Sequence, residues 1–145
     1  MKSRPLRNVI RNQTVLTLPP DATVRDAASA MAEKHVGSAM VVDGRGRLAG
    51  IFTERDALFR VLAHDIDPAT TRLAEVMTPH LTTIGPEGTL SQALHLMHDA
   101  GVRHIPVVED GRPVGVVSIR DALGRELASF ERETRMKQSV TEILG

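Results

Sequence analysis

A chain of 145 residues with 18 basic and 18 acidic side chains, no cysteine and only three aromatic residues excludes several classes at once. Zero formal charge supplies no long-range field toward nucleic acid or an anionic membrane surface, and three phenylalanines are too few to form stacking platforms for single strands. Disulfides, thiol nucleophiles and cysteine metal sites are ruled out, the composition fits a reducing, cytoplasmic setting, and no apolar run has signal-peptide character or spanning length.

In chain order, residues 6–10 form a short apolar lead-in predicted to be helical. Residues 15–24 give a strand-like stretch, a Pro-Pro turn and then Thr23 as a helix N-cap. Val24, Ala27, Ala28 and Met31 follow at helical spacing, with Gly37 placed to cap the C-terminus. Residues 39–42 and 48–52 are short, β-branched and apolar; the Gly/Asp/Arg turn between them predicts a hairpin. Residues 50–58 then open a second helix, and residues 63–72 form a linker.

The same order returns. Residues 73–77 are a second lead-in helix, and residues 81–90 repeat the strand, turn and N-cap, now at Thr89. Leu90, Ala93, Leu94 and Met97 make the matching stripe, and Gly101 the matching cap. A second hairpin spans residues 105–108 and 114–117. Past Leu123, the residues Leu127, Phe130, Met136, Val140, Ile143 and Leu144 recur at roughly helical spacing and predict an amphipathic tail helix.

The strongest signal is literal repetition. Gly-Ile-Phe-Thr-Glu-Arg-Asp-Ala-Leu at 50–58 recurs as Gly-Val-Val-Ser-Ile-Arg-Asp-Ala-Leu at 115–123, and Glu54 against Ile119 is the one change of chemical type. The chain is therefore two copies of a β-α-β-β-α unit, α/β (α+β) in class, with copies at 5–66 and 67–127 and the tail at 128–145. Neither copy has much core alone, so the two sheets are expected to pack face to face.

In each motif a hydroxyl stands three residues before an Asp: Thr53 and Asp56, Ser118 and Asp121. The pattern is that of a helix capping box. A capped helix start also presents amides and a positive dipole end to an anion, and Arg55 and Arg120 add guanidinium groups able to grip phosphate. Both readings stand together.

With Val-Met-Thr-Pro at 76–79 and Arg-His-Ile-Pro-Val-Val at 103–108, the repeated motif resembles a tandem of cystathionine-β-synthase (CBS) domains, the Bateman module, over residues 5–127. The resemblance implies two units packed about a pseudo-twofold axis, with clefts between them that bind adenosine-containing ligands such as AMP, ADP, ATP or S-adenosylmethionine. It also implies that the motif Asp bonds ribose and the Thr/Ser contacts phosphate or ribose. Carried over, the ligand-binding residues are Thr17, Ser38, Thr53, Arg55 and Asp56 from one copy, and Thr83, His104, Ile105, Pro106, Ser118, Arg120 and Asp121 from the other. The preferred cleft contains Asp121 with Ser118, Arg120, Thr83 and His104, because Met40 in the first copy replaces the proline seen at 106.

The implied function is a non-enzymatic sensor of adenine nucleotide, with no required cofactor, that works as a homodimer and signals to an effector protein. The alternative is a structural or dimerisation module with unoccupied clefts. No nucleophile-base pair or carboxylate dyad stands out; a nucleotide hydrolase using the histidines is the third class. His95, His98 and Asp99 are expected on a solvated helix face rather than around a metal, and Arg4, Arg7 and Arg11 in a solvated basic arm.

Overall fold

Thr23 and Thr89 start the two long helices by the same local device. Their hydroxyls accept from the amides of Asp26 and Gln92 at 3.1 and 3.2 Å, and those two side chains accept in return from the cap amides. In the computed structural model, which describes residues 3–79, 81–122, 124 and 132–137, these helices are α2 (Val24–Lys34) and α5 (Leu90–Ala100). Each buries the predicted stripe: Val24, Ala27 and Met31 in one, Leu90, Ala93 and Met97 in the other. Of the two remaining stripe residues, Ala28 is exposed and Leu94 half-buried. Gly101 caps α5 in the left-handed conformation, but α2 is capped by His35 at φ 54°, so Gly37 is not a cap.

The remaining elements of the first copy are β1 (Thr17–Leu18), β2 (Ser38–Val42), β3 (Leu48–Thr53) and the short helix α3 (Glu54–Asp56). The helix α3 continues as a π turn over Ala57–Val61 and a 3-10 turn over Leu62–His64. β1 runs parallel to β2, and β2 pairs antiparallel with β3. In the second copy β4 (His104–Glu109) and β5 (Arg112–Ser118) form the matching hairpin, followed by α6 (Ile119–Ala122). The hairpin turns behave as predicted: Gly46 at φ 78°, and Asp110 and Gly111 at φ 55° and 79°, supply the positive backbone angles that tight turns need.

The expected first strand of the second copy is reduced to a single bridge between Ile84 and Val107. The cause is one residue. Met40 donates its amide to the Leu16 carbonyl at 2.8 Å, extending the parallel ladder. At the equivalent register position stands Pro106, which has no N–H to donate.

Burial separates into two clusters, one for each copy, and Met40 and Ile51 are buried outside both. One contains Met31, Val41, Phe52 and Val61; the other contains Met97, Ile105, Val107 and Val117. The lead-in helices are exchanged between them. The first, α1 (Leu6–Val9), puts Leu6 and Ile10 into the second copy's core. The second, α4 (Leu73–Val76), puts Leu73 and Val76 into the first copy's core. Leu6 donates to Gly88 O and Leu73 to Ala22 O, both at 2.9 Å. This exchange joins two small units, each of which would bury too little alone.

The exchange also explains the motif's leading glycine. A Cβ on Gly115 would stand 2.6 Å from Ile10 Cγ2, and one on Gly50 2.6 Å from Met77 Sδ. Each lead-in segment crosses directly over the other copy's glycine.

Of the N-terminal arginines, Arg7 and Arg11 are exposed as expected and Arg4 is half-buried. Arg7 pairs with Glu87 and lies 3.6 Å from Glu109, and Arg4 Nη2 donates to the Asp121 carbonyl at 2.9 Å. Residues 132–137 of the tail are helical and exposed; Leu127, Phe130, Val140, Ile143 and Leu144 lie outside the described residues. No helix among the described residues is long and apolar enough to cross a membrane.

Candidate functional site in the cleft between the copies

Both motifs fold as capping boxes. Asp56 Oδ2 accepts from the Thr53 amide at 2.9 Å, and the Thr53 hydroxyl accepts from the Asp56 amide at 3.2 Å. Asp121 Oδ2 accepts from the Ser118 amide at 2.9 Å, and the Ser118 hydroxyl accepts from the Asp121 amide at 3.3 Å. The two carboxylates then diverge. Asp56 is buried, with 8% of its surface exposed, and its Oδ1 lies 3.4 Å from Arg60 Nε. Asp121 is half-buried and forms no ion pair among the described residues.

Asp121 opens onto a cleft of about 860 Å³ between the copies. The second copy contributes Arg103, His104, Val116, Ser118, Arg120 and Asp121; the first contributes Met31, His35, Gly37, Ser38, Phe52 and Glu54. A second pocket of about 490 Å³ shares Gln13, Val36, Ser38 and Val116 with it, and adds Leu16, Lys34 and Met40. The cleft thus offers two carboxylates, two guanidinium groups, two imidazoles and an adjoining partly apolar pocket. That set can hold a mostly flat apolar group beside a polar, charged one.

Two arrangements shape the walls. Gln13 Nε2 donates to the Val116 carbonyl at 2.8 Å, and the Val116 amide donates to Gln13 Oε1 at 2.9 Å. This holds residues 13–16 beside β5. Between the copies, Gly37 leaves room for its neighbours: a Cβ there would be 3.2 Å from Glu54 Oε1 and 3.4 Å from His104 Nε2. Burial holds the His104 imidazole below its ordinary 6.5, against the upward pull of Glu54, Asp121 and Asp56, while Arg103 adds to the lowering.

The cleft brings together Ser38, His104, Ser118, Arg120 and Asp121 from the sequence-derived set. The others lie elsewhere among the described residues. Thr17 and Thr83 are exposed and are not part of its lining; Ile105 and Pro106 are buried in β4. Thr53 and Asp56 close the first motif's capping box, and Arg55 lies over the Phe59 ring at 5.2 Å. Sequence reasoning missed Gln13, His35 and Glu54. For Glu54 a signal existed, since it is the one motif position whose chemistry changes between copies. His95 and His98 are exposed, and no group of three or more potential metal ligands occurs among the described residues.

Comparison with known proteins gives the geometry its context. The CBS domain model matches residues 6–63 and 73–127. The mitochondrial CBS domain-containing protein CBSX3 of Arabidopsis thaliana is 38% identical over 107 residues, which are 71% of this chain and 52% of that protein. The chain thus spans about half of that relative, and 22% of another Arabidopsis CBS protein. Among solved structures, the CBS-domain containing protein of Agrobacterium tumefaciens superposes with a TM-score of 0.75 at 26% identity, covering 86% of this chain and 96% of that one. A CBS domain pair solved with 5′-methylthioadenosine and S-adenosyl-L-methionine shares the fold, with a TM-score of 0.77 at 22% identity over 88% of this chain and 98% of that one. By its two matched repeats and by its fold, the chain belongs to the CBS-domain family.

Proposed function

We propose that the chain is a non-enzymatic regulatory module that binds an adenosine-containing ligand in the cleft between its copies. The observation that supports this most is the half-buried Asp121 carboxylate, free of any described cation and opening onto the cleft beside Ser118, His104 and Arg120. In this reading Asp121 accepts from the ribose hydroxyls. The partly apolar pocket beside Met40 and Val116 takes the base, and Arg103, Arg120 and His104 face the 5′ substituent. A CBS pair of the same fold, solved with two adenosyl ligands, is consistent with it.

Signalling would follow from a change in the angle between copies, limited by the ligand's differential affinity for the two arrangements. Leu58, Phe59 and Leu62, all more than half exposed on the helical run after the first motif, are the surface proposed to join two copies into a homodimer. The effector is a separate protein, and the setting is cytoplasmic.

A thermal-shift panel of AMP, ADP, ATP and S-adenosylmethionine tests the reading, because ligand at 100 times its Kd adds about 2.7 kcal/mol. The expected result is stabilisation by at least one of them that disappears in Asp121→Ala. The complete capping boxes at both motifs favour a second reading, a structural module with empty clefts. Flat melting curves at millimolar concentrations of every ligand would support it instead.

A further inference from the structure

The two copies differ in charge at a matched pair of positions. In the first, the Glu54 amide donates to the Gly37 carbonyl at 3.0 Å; in the second, the Ile119 amide makes the equivalent bond to Arg103, also at 3.0 Å. A glycine-acid pair therefore stands where the other copy has an arginine-isoleucine pair. Because Gly37 has no side chain, the Glu54 carboxylate lies over the backbone there, close to His104 of the opposite copy. Glu54, from the first motif, thereby walls the cleft whose Asp and Arg residues come from the second.

We propose that Glu54 determines ligand specificity in this cleft, selecting adenosyl ligands with a zwitterionic or uncharged 5′ substituent over those carrying a polyphosphate. The inference rests on the adenosyl-ligand reading of the cleft. Arg103 and Arg120 are balanced by Glu54 and Asp121, so the fixed charges cancel. Lys34 lines the adjoining pocket instead. His104 adds little positive charge near neutrality, since burial lowers its affinity for a proton.

With Asp121 on the ribose, Glu54 is the remaining carboxylate facing the 5′ end. It attracts an ammonium or sulfonium and repels the terminal phosphates of a triphosphate. The arginines still accept a carboxylate, so a substituent bearing both signs satisfies both walls. Discrimination then comes from the repulsive element as much as from the attractive one. Glu54 is exposed, so the effect is largest at low ionic strength.

The test is calorimetric titration at low salt of ATP, S-adenosylmethionine and 5′-methylthioadenosine into the wild-type chain, Glu54→Gln and Glu54→Ile. The wild type should prefer S-adenosylmethionine to ATP. Both variants should move the affinity ratio toward ATP by roughly tenfold or more, with uncharged 5′-methylthioadenosine changed by less than about twofold. A ratio unchanged in both variants, or a wild type that prefers ATP, overturns the role of Glu54 and leaves the cleft's assignment standing. Binding of none of the three to any form overturns both.

Discussion

Gln13 pairs its side-chain amide with both backbone groups of Val116, at 2.8 and 2.9 Å, as a neighbouring strand would. At the equivalent place in the first copy the partners are main chain: Ile51 and Thr78 exchange bonds of 3.0 and 2.9 Å. A glutamine carboxamide has the donor and acceptor of a peptide group, so it completes the edge of β5 where the backbone does not. The clasp also fixes residues 13–16, the segment that walls the smaller pocket.

Gln13→Ala should therefore cost about 1–3 kcal/mol, because it strands a part-buried N–H and C=O together. Urea denaturation measures it. Gln13→Glu keeps the acceptor and loses the donor, so it should fall between alanine and wild type near neutral pH.

The motif glycines have a steric role that a small substitution exposes. Gly115→Ala places a methyl 2.6 Å from Ile10 Cγ2, against a side chain buried in the second copy's core. Overpacking of this kind costs about 1–3 kcal/mol. Removing Cγ2 and Cδ1 of the partner in Gly115→Ala/Ile10→Ala should make the double variant less costly than the sum of the two single changes, a coupling that a double-mutant cycle would read directly.

Exchange of the lead-in helices predicts where damage appears. Leu6 is fully buried in the second copy's cluster, so Leu6→Ala should destabilise by about 2–5 kcal/mol. Hydrogen exchange should then show faster amides in residues 105–117 than in residues 39–52. Leu73→Ala, fully buried in the first copy's cluster, should reverse that pattern.

His104 ties stability to pH. Its folded value is lowered by burial, opposed by Glu54 and Asp56 on α3 and Asp121 on α6, and assisted by Arg103, the residue before β4. A base with a lowered folded value binds its proton more readily when unfolded. Its contribution is full above the unfolded value of 6.5 and is lost as pH falls from there through the folded value. Urea midpoints should decline below about pH 6.5, and His104→Gln should flatten that decline.

What could be read from the sequence was local. The caps at Thr23 and Thr89 depend on residues three positions apart, and the hairpin turns on single Gly and Asp residues, so neighbours alone decide them. The duplicated motif showed two copies and drew attention to Ser118 and Asp121. The exchange of α1 and α4 was hidden because Leu6 and Leu73 would satisfy either apolar core; only long-range packing chooses. The same crossing brings residues 13–16, rather than Thr83, to the pocket beside Asp121. Pro106 did contain the information that shortened the second copy's first strand. Reading it required knowing that its counterpart Met40 donates to Leu16.

Asp121, and not its twin Asp56, is the residue proposed to hold an adenosyl ligand. Calorimetric titration of Asp121→Asn and Asp56→Asn with whichever adenosyl ligand stabilises the wild type tests it most directly, since Asn keeps a cap acceptor in both motifs. The expected result is a loss of roughly tenfold or more in Asp121→Asn, with near wild-type affinity in Asp56→Asn. Undiminished binding by Asp121→Asn would contradict it.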